Sequence, residues 1–188
     1  MTTHYIDITL LPDPEFADAH LLGALVAKLH RALVQLRSDG IGVSFPGYSL
    51  CPRSPGRVLR LHGAQSALRE LLALTWLQGM RDHVELTDVL TAPANATRCV
   101  VRRRQFKTNV ERLRRRRMRR KGETVAQAAA AIPESVERKP DLPYVHVRSA
   151  STGQPFCLFI EQVIEGEVEG KGGFNSYGLS AGGAVPWF

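Results

Sequence analysis

The densest group of side chains that could bind a ligand lies near the middle of the chain. Residues 98–121 carry thirteen basic side chains, eleven of them arginine, and a single acid, Glu111. This local charge of +12 exceeds the +7 of the whole chain, so the remaining residues carry a net −5. Guanidinium binds phosphate and the guanine edge through a planar fork, which ammonium cannot do. The run therefore predicts a localised polyanion site and favours nucleic acid as its ligand.

The second half of this run predicts a helix with one basic face. Asn109 suits the N-cap position, Glu111 the first turn and Gly122 the C′ position. At about 100° per residue, one face, called here the arginine comb, gathers Arg112, Arg115, Arg116, Arg119 and Arg120. The other side holds a thin apolar row interrupted by two arginines: Val110, Leu113, Arg114, Arg117 and Met118. We expect this helix to rest on the protein with its comb facing outward.

Other interpretations of the same basic run are a nuclear-localisation-type signal, a calmodulin-type or membrane-surface helix, and a disordered basic arm. The membrane interpretation lacks a broad face of leucine, phenylalanine or tryptophan. The comb suits either polyanion, so a DNA-binding protein also remains open.

Cysteine and histidine spacing bears on metals and on the compartment. Cys51, Cys99 and Cys157 are odd in number and far apart, and none forms a C-x-x-C pair. This pattern predicts reduced thiols in a cytoplasmic protein and argues against a structural zinc site. The six histidines are scattered without metal-ligand spacing. We therefore expect no metal and no cofactor, and no apolar run is long enough to cross a membrane.

Four residues outside the basic run are candidates for chemistry. His30 lies on the rim of the apolar stripe of a predicted helix, packed on one side and accessible on the other. A histidine there is usually structural, but it can also serve as a general base. Ser149 and Ser151 flank a predicted turn, where serine commonly forms local hydrogen bonds. Tyr177 lies among glycines that permit close backbone approach, either to the protein itself or to a phosphate.

The elements that must position these residues predict an α+β fold. Periodicity predicts a strand, a helix, two strands, a helix and a strand at residues 5–11, 17–37, 41–45, 57–62, 65–74 and 83–90. This β-α-β-β-α-β order is ferredoxin-like. After a linker at 91–97 and the basic helix come a helix near 123–131 and strands at 144–149 and 156–161. We predict a ferredoxin-like domain at 1–92 and a smaller α+β domain with the arginine-rich helix at 98–188.

Several motifs also carry a resemblance that covers nearly the whole chain. In order, they are HYIDITLLPDPEF, KLHRAL, DGIGVSFP, NVERLRRRRMRRK, DLPYVHVRSASTGQPF and YGLSAGGAVPWF. The sequence resembles the CRISPR repeat-processing endoribonucleases of the type I-F (Ypest) subtype. The resemblance implies cutting of CRISPR precursor RNA at the 3′ base of a repeat hairpin, without metal. The implied products have a 2′,3′-cyclic phosphate and a 5′-hydroxyl, and the enzyme retains the processed RNA.

The resemblance also implies roles for individual residues. His30, Ser149 and Tyr177 match the family's catalytic positions, with Ser151 a secondary candidate. The implied RNA contacts are Arg103, Gln105, Phe156, Arg115, Arg116, Arg119 and Arg120, to which the comb adds Arg112. Arg102 and Arg104 flank the expected base-reading arginine, so which of the three reads bases is open. The implied partners are the repeat RNA and other subunits of a CRISPR surveillance complex. A non-catalytic hairpin-binding subunit of a ribonucleoprotein is the alternative.

Overall fold

The computed structural model describes residues 3–106, 110–136, 141–149, 152–165 and 172–188. Backbone contacts divide the chain into two compact units, Met1–Arg104 with Leu142–Phe188, and Gln105–Asp141. The fold is α+β with antiparallel sheets, as predicted. The division into domains at 1–92 and 98–188 stays a prediction. None of the helices among the described residues has the length and apolarity to span a membrane.

The first part of the larger unit has ferredoxin-like topology. Its elements are β1 (His4–Leu10), α1 (Asp18–Leu36), β2 (Gly42–Ser44), β3 (Ser49–Leu50), β4 (Arg53–Ser54), β5 (Val58–Gly63), α2 (Gln65–Ala73), β6 (Val84–Leu86) and β7 (Leu90–Thr91). The strands of the sheet lie in the order β2-β5-β1-β6 with antiparallel neighbours, β7 also pairs with β1, and β3 and β4 form a separate small hairpin. This is the predicted β-α-β-β-α-β arrangement.

Alternation and helical periodicity explain the core of this part. Ile6, Ile8 and Leu10 are buried on one face of β1, as their spacing predicts. The helix α1 covers that face with buried residues that recur every three or four positions, among them Leu22, Leu25 and Leu29. Because α1 also packs against a strand of the second sheet, its rim is held between two parts of the unit.

The strand predicted at 83–90 differs in the structure. A 3₁₀ turn at Arg81–His83 precedes β6, and β6 and β7 are separate short strands. His83 is held in the turn because its Nδ1 lies 2.7 Å from Asp13 Oδ2. At Thr87 the backbone N–H of Asp7 donates to the side-chain hydroxyl at 3.0 Å, and not to a backbone carbonyl as it would in a regular pair of strands. These side-chain contacts interrupt the regular strand at both points.

The second part of the chain forms another sheet and a helical pair. Its elements are β8 (Thr97–Arg104), α3 (Val110–Lys121), α4 (Val125–Ala131), a 3₁₀ turn (Glu134–Val136), β9 (Tyr144–Arg148), β10 (Pro155–Glu165) and β11 (Val185–Trp187). The antiparallel sheet has the order β11-β8-β10-β9. Strand β8 was not predicted. Its buried Cys99 and Val101 are separated by another apolar residue, Val100, and arginines occupy both faces after them, so the sequence shows no clear period-2 pattern.

The segment before β11 connects the two sheets of the larger unit. Val43 of β2 donates its N–H to the Gly178 carbonyl at 2.9 Å, and Ser180 donates to the Val101 carbonyl of β8 at 2.7 Å. Gly178 has φ +72°, and a Cβ there would lie 2.6 Å from a methyl of Val43. Only glycine accommodates both constraints. Of the two explanations for the glycine-rich tail, close packing against the protein's own sheet therefore applies at this position.

Candidate active site

The structure brings His30 next to Ser176 and Tyr177. His30 and Ser176 are 146 positions apart in the sequence. His30 lies in the penultimate turn of α1, half-buried, and its Nδ1 is 2.9 Å from the Ser176 carbonyl oxygen. A carbonyl only accepts, so Nδ1 carries the proton and donates it to this bond. The Tyr177 ring is stacked on the imidazole at 4.0 Å between centroids and 4° between planes. The imidazole plane is thus fixed by one hydrogen bond and one ring contact.

A compact turn presents the Ser176 carbonyl and the Tyr177 ring. The Asn175 side-chain oxygen accepts the backbone N–H groups of Tyr177 at 2.8 Å and of Leu179 at 3.2 Å. Gly178 donates to the Asn175 carbonyl at 2.8 Å. Asparagine commonly mimics a backbone turn in this way. Sequence reasoning missed both Asn175 and Ser176, although an asparagine three residues before a glycine is itself a turn signal.

Arg103 and Phe156 extend this group on the neighbouring strands. The Arg103 guanidinium lies 5.5 Å from the Phe156 ring centroid, within the range of a cation–π contact. Burial raises the pKa of the Tyr177 phenol, and the positive charge of Arg103 partly opposes that rise. Tyr177 is therefore a neutral phenol near pH 7. His30 is stacked on Tyr177, Arg103 contacts Phe156, and Arg103 is close enough to Tyr177 for its charge to affect the phenol.

Strand alternation separates Arg103 from the arginines on either side of it. Arg103 has the same parity as the buried Val101, whereas Arg102 and Arg104 point to the opposite face of β8. There the Nε atoms of Arg102 and Arg104 lie 2.6 Å and 3.6 Å from the carboxylate of Glu161. Of the three candidate base-reading arginines, only Arg103 is directed toward the face that carries Tyr177 and Phe156.

The remaining predicted site residues are less completely placed. Ser149 follows β9 at the end of the hairpin that also carries Phe156, and its Oγ accepts the Thr152 N–H at 3.3 Å. Ser151 lies outside the described residues, as does Asn109. Gln105 is exposed and belongs to the smaller compact unit. The roles predicted for these residues stay predictions.

In the smaller unit, α3 has the two faces that the helical wheel predicts. All five residues of the arginine comb are exposed, and Leu113, Arg114, Arg117 and Met118 are half-buried. Four comb residues line a groove of about 510 Å³: Arg112, Arg115, Arg116 and Arg119. Gly122 has φ +65° and donates its N–H to the Met118 carbonyl at 2.9 Å, which confirms it as the residue that ends the helix.

The two arginines off the comb have partners within this unit. Arg114 Nε donates to the Ile132 carbonyl at 3.0 Å, just past α4. Arg117 makes two contacts with the Glu123 carboxylate, at 2.6 Å and 3.1 Å. The hydrogen bond from Arg117 holds the pKa of Glu123 below its ordinary value. These arginines join α3 to the segment that carries α4, and they are less exposed than the comb arginines.

Among the described residues, no group of three histidine, cysteine, aspartate or glutamate side chains could hold a metal ion. The three cysteines, Cys51, Cys99 and Cys157, are free thiols.

These features define an α+β protein that combines a ferredoxin-like sheet, a histidine oriented by a backbone carbonyl and an arginine-rich helix. Its sequence matches the family model of the CRISPR-associated protein Cas_Csy4 over residues 5–188. It is 48% identical to the "CRISPR-associated endonuclease Cas6/Csy4" of Pseudomonas aeruginosa (strain UCBPP-PA14) over 185 residues, 98% of this chain and 99% of that protein. It is 42% identical to the protein of the same name from Escherichia coli (strain UTI89 / UPEC), with the same coverage. The chain belongs to the Cas_Csy4 family, which confirms the resemblance found in its motifs.

Proposed function

We propose that this protein is an endoribonuclease that cuts CRISPR precursor RNA at the 3′ base of the repeat hairpin. It uses the 2′-hydroxyl beside the scissile phosphate as nucleophile, needs no metal and retains the processed RNA. Two relatives that match nearly the full length are named CRISPR-associated endonucleases. The observation that carries the proposal is the fixed imidazole of His30, with Nδ1 bonded to the Ser176 carbonyl and its face covered by Tyr177.

The hydrogen bond at Nδ1 leaves the other ring nitrogen of His30, Nε2, as the one that can accept a proton. A neutral imidazole carries one proton, and the Ser176 carbonyl holds it on Nδ1. The lone pair therefore lies on Nε2, which can accept a proton from a substrate hydroxyl. An orienting group on the far nitrogen is the same arrangement that activates histidine bases in other enzymes. This supports His30 as the general base.

The proposed reaction is an intramolecular transesterification. His30 Nε2 takes the proton of the 2′-hydroxyl while that oxygen bonds to the adjacent phosphorus. The bond from phosphorus to the 5′-oxygen breaks, and this oxygen leaves as a hydroxyl after taking a proton from solvent. The products are a 2′,3′-cyclic phosphate and a 5′-hydroxyl. Because the attack is intramolecular, holding the ribose in line with the leaving oxygen can supply several kcal/mol of the barrier. We assign that positioning to Ser149, with Ser151 as a secondary candidate.

Tyr177 and Arg103 support the base rather than replace it. The raised pKa of Tyr177 keeps its phenol protonated, so this residue positions His30 by stacking and does not accept the proton. The positive charge of Arg103 can stabilise the negative charge that develops on the phosphorane oxygens. Phe156, next to Arg103, offers a ring on which the last base pair of the hairpin can stack. Arg103 and Gln105 then read the bases at the foot of the hairpin.

The arginine comb accounts for hairpin recognition in this proposal. Its five exposed guanidiniums lie along one face of α3 and can contact successive phosphates of an RNA stem. Double-stranded RNA is recognised mainly by shape and backbone, because its major groove is deep and narrow. A short stem whose end lies at the cut is open at its foot, where a helix can approach that groove. Other subunits of a CRISPR surveillance complex would bind the retained product.

The test is cleavage of a cognate repeat hairpin in EDTA by the wild-type protein and by His30→Ala. We expect the wild type to cut in EDTA, and His30→Ala to bind the hairpin without cutting it. Loss of cutting on chelation would contradict the metal-independent mechanism, and full activity of His30→Ala would contradict the assigned base. Tight binding by the wild type without any cutting would instead favour the non-catalytic subunit.

A further inference from the structure

The solvent face of the second sheet carries aromatic side chains in a continuous patch. Residues of β9 alternate, so Tyr144, His146 and Arg148 are exposed while the residues between them are buried. Tyr144 is 43% exposed, and its ring lies 5.4 Å from Phe159 on β10 and 4.9 Å from His146. Tyr144 is exposed and the neighbouring Phe159 is half-buried, so together they offer an aromatic surface on this face that a flat ligand can cover.

Arginines border this patch on both sides. The registers pair Arg104 of β8 with Phe159, and Phe159 with Tyr144, so a cation and two rings form one row across three strands. At about 4.8 Å between strands, this row spans roughly 10 Å. Arg102 lies one step along β8 on the same face, and Arg148 lies at the far end of β9. We call these residues the sheet platform: Arg102, Arg104, Tyr144, His146, Arg148 and Phe159.

Glu161 organises the cationic side of the platform. Its carboxylate lies between Arg102 and Arg104, 2.6 Å from the Nε of the first and 3.6 Å from the Nε of the second. One carboxylate cannot neutralise two guanidiniums, and Arg148 adds a third positive charge on this face. The two side chains are 45% and 52% exposed, so they can still contact a ligand. A shared carboxylate also holds them side by side, which lowers the entropy lost on binding phosphates.

We propose that the sheet platform is a second RNA-binding site, which holds single-stranded RNA next to the hairpin. Bases stack on Tyr144 and Phe159, and Arg102 and Arg104 bind the phosphates between them. Stacking on exposed aromatics combined with a cationic track is how proteins hold single strands with little sequence preference. This inference rests on the proposed function for the identity of the polymer as RNA.

The chemistry of the platform favours RNA over a protein partner. Aromatic residues and arginine are common at protein interfaces, but acidic residues such as Glu161 are depleted there. Here the exposed ring of Tyr144 lies in the same row as Arg104, with Glu161 and Arg102 next to it. A protein docked on this face would have to desolvate these charges, whereas a nucleotide presents a phosphate to the guanidinium and a flat base to the ring.

The test measures the affinity of a short, labelled RNA of mixed sequence that cannot pair with itself. Tyr144→Ala should weaken its binding about 5- to 150-fold, the loss that 1–3 kcal/mol of stacking predicts. Tyr144→Phe should retain wild-type affinity because the ring is kept. Since neither change alters charge, the arginine comb, which can also bind the strand, cannot produce this difference. Equal affinity for Tyr144→Ala and the wild type would overturn the proposal, and a protein partner would then be the better occupant.

Charge variants of the same strand provide the matched comparison. Arg104→Ala should weaken binding and reduce the salt slope by about 0.7, the value for one phosphate of a single strand. Arg98→Ala makes the same change on the same face of β8, roughly 20 Å away, and should have little effect. Glu161→Gln should strengthen binding, because the amide oxygen can still accept hydrogen bonds from the two arginines while the negative charge that competes with phosphate is removed. Equal losses for Arg98→Ala and Arg104→Ala would contradict a local site.

A hairpin without flanking strands separates this inference from the proposed function. Tyr144→Ala should bind and cut that hairpin as the wild type does, because Tyr144 lies on the face opposite Arg103 and Phe156. If the wild type neither binds nor cuts the hairpin, the proposed function fails. The Tyr144 dependence of single-strand binding would still be measured with the unpaired probe.

Discussion

The most informative prediction compares arginines on the two sides of α3. Arg115→Ala and Arg117→Ala remove the same charge from the same helix, two residues apart. Arg115 belongs to the exposed comb, whereas Arg117 is half-buried and holds Glu123 through contacts of 2.6 Å and 3.1 Å. If the comb contacts the hairpin, Arg115→Ala should weaken RNA binding through lost phosphate contacts. Arg117→Ala should instead loosen the link between α3 and α4.

The size of the effect follows from counterion release. Each phosphate neutralised changes log K by roughly 0.7 to 0.9 per tenfold change in salt. At 0.1 M salt, one such contact therefore contributes a factor of about 5 to 8 in affinity. Five comb arginines that each met one phosphate would give a slope of roughly −3.5 to −4.5. Arg115→Ala should lower the affinity about 5- to 8-fold at 0.1 M salt and make the salt slope shallower by roughly 0.7 to 0.9. Arg117→Ala should leave the slope unchanged.

The assay is a set of binding curves for the repeat hairpin at several salt concentrations, with thermal unfolding as the control for folding. Arg117→Ala should lower the midpoint of unfolding, since an arginine that joins two helical segments is lost, and Arg115→Ala should not. Equal changes in slope for the two variants would show that α3 does not bind RNA by the comb face.

Three further predictions concern the larger unit. Gly178→Ala forces a Cβ against Val43 at a positive φ, so Tyr177 should move off His30 and the single-turnover cleavage rate should fall about 100-fold with hairpin binding retained. Burial lowers the pKa of His62 to about 3, so between pH 6.5 and about 3 this histidine is protonated in the unfolded chain but not in the folded protein. The free energy of unfolding should therefore fall by about 1.4 kcal/mol for each pH unit below 6.5. Denaturant unfolding of His62→Gln should lack that slope. Arg103→Ala should lose about 1–3 kcal/mol of discrimination against mutated bases at the hairpin foot, while Arg102→Ala should not, as competition binding with mutated hairpins would measure.

The ferredoxin-like part was predictable because its signals are local. The alternation of Ile6, Ile8 and Leu10 and the stripe on α1 each specify an element and its buried face within a few residues. The comb was predictable for the same reason, since a helical wheel needs only one segment. The observed exposure of its five arginines confirms that part of the prediction.

The candidate site depends on contacts that no local pattern contains. His30 obtains its hydrogen bond and its stacked ring from residues 176 and 177, which reach it only because the tail docks on β2 and β8. Arg103 differs from Arg102 and Arg104 only through the parity of a strand that the basic run concealed. The sheet platform is distributed over three strands, so only their register places Arg104, Phe159 and Tyr144 in one row.

The most direct measurement of the proposed chemistry replaces one oxygen of the RNA. A repeat hairpin with a 2′-deoxy nucleotide just upstream of the cut lacks the proposed nucleophile but keeps the stem that the comb would bind. We expect this RNA to bind the wild-type protein as tightly as the all-ribose hairpin and to remain intact over the time in which that hairpin is fully cut. Cleavage of the deoxy hairpin would mean that water attacks the phosphorus, and would contradict 2′-hydroxyl attack assisted by His30.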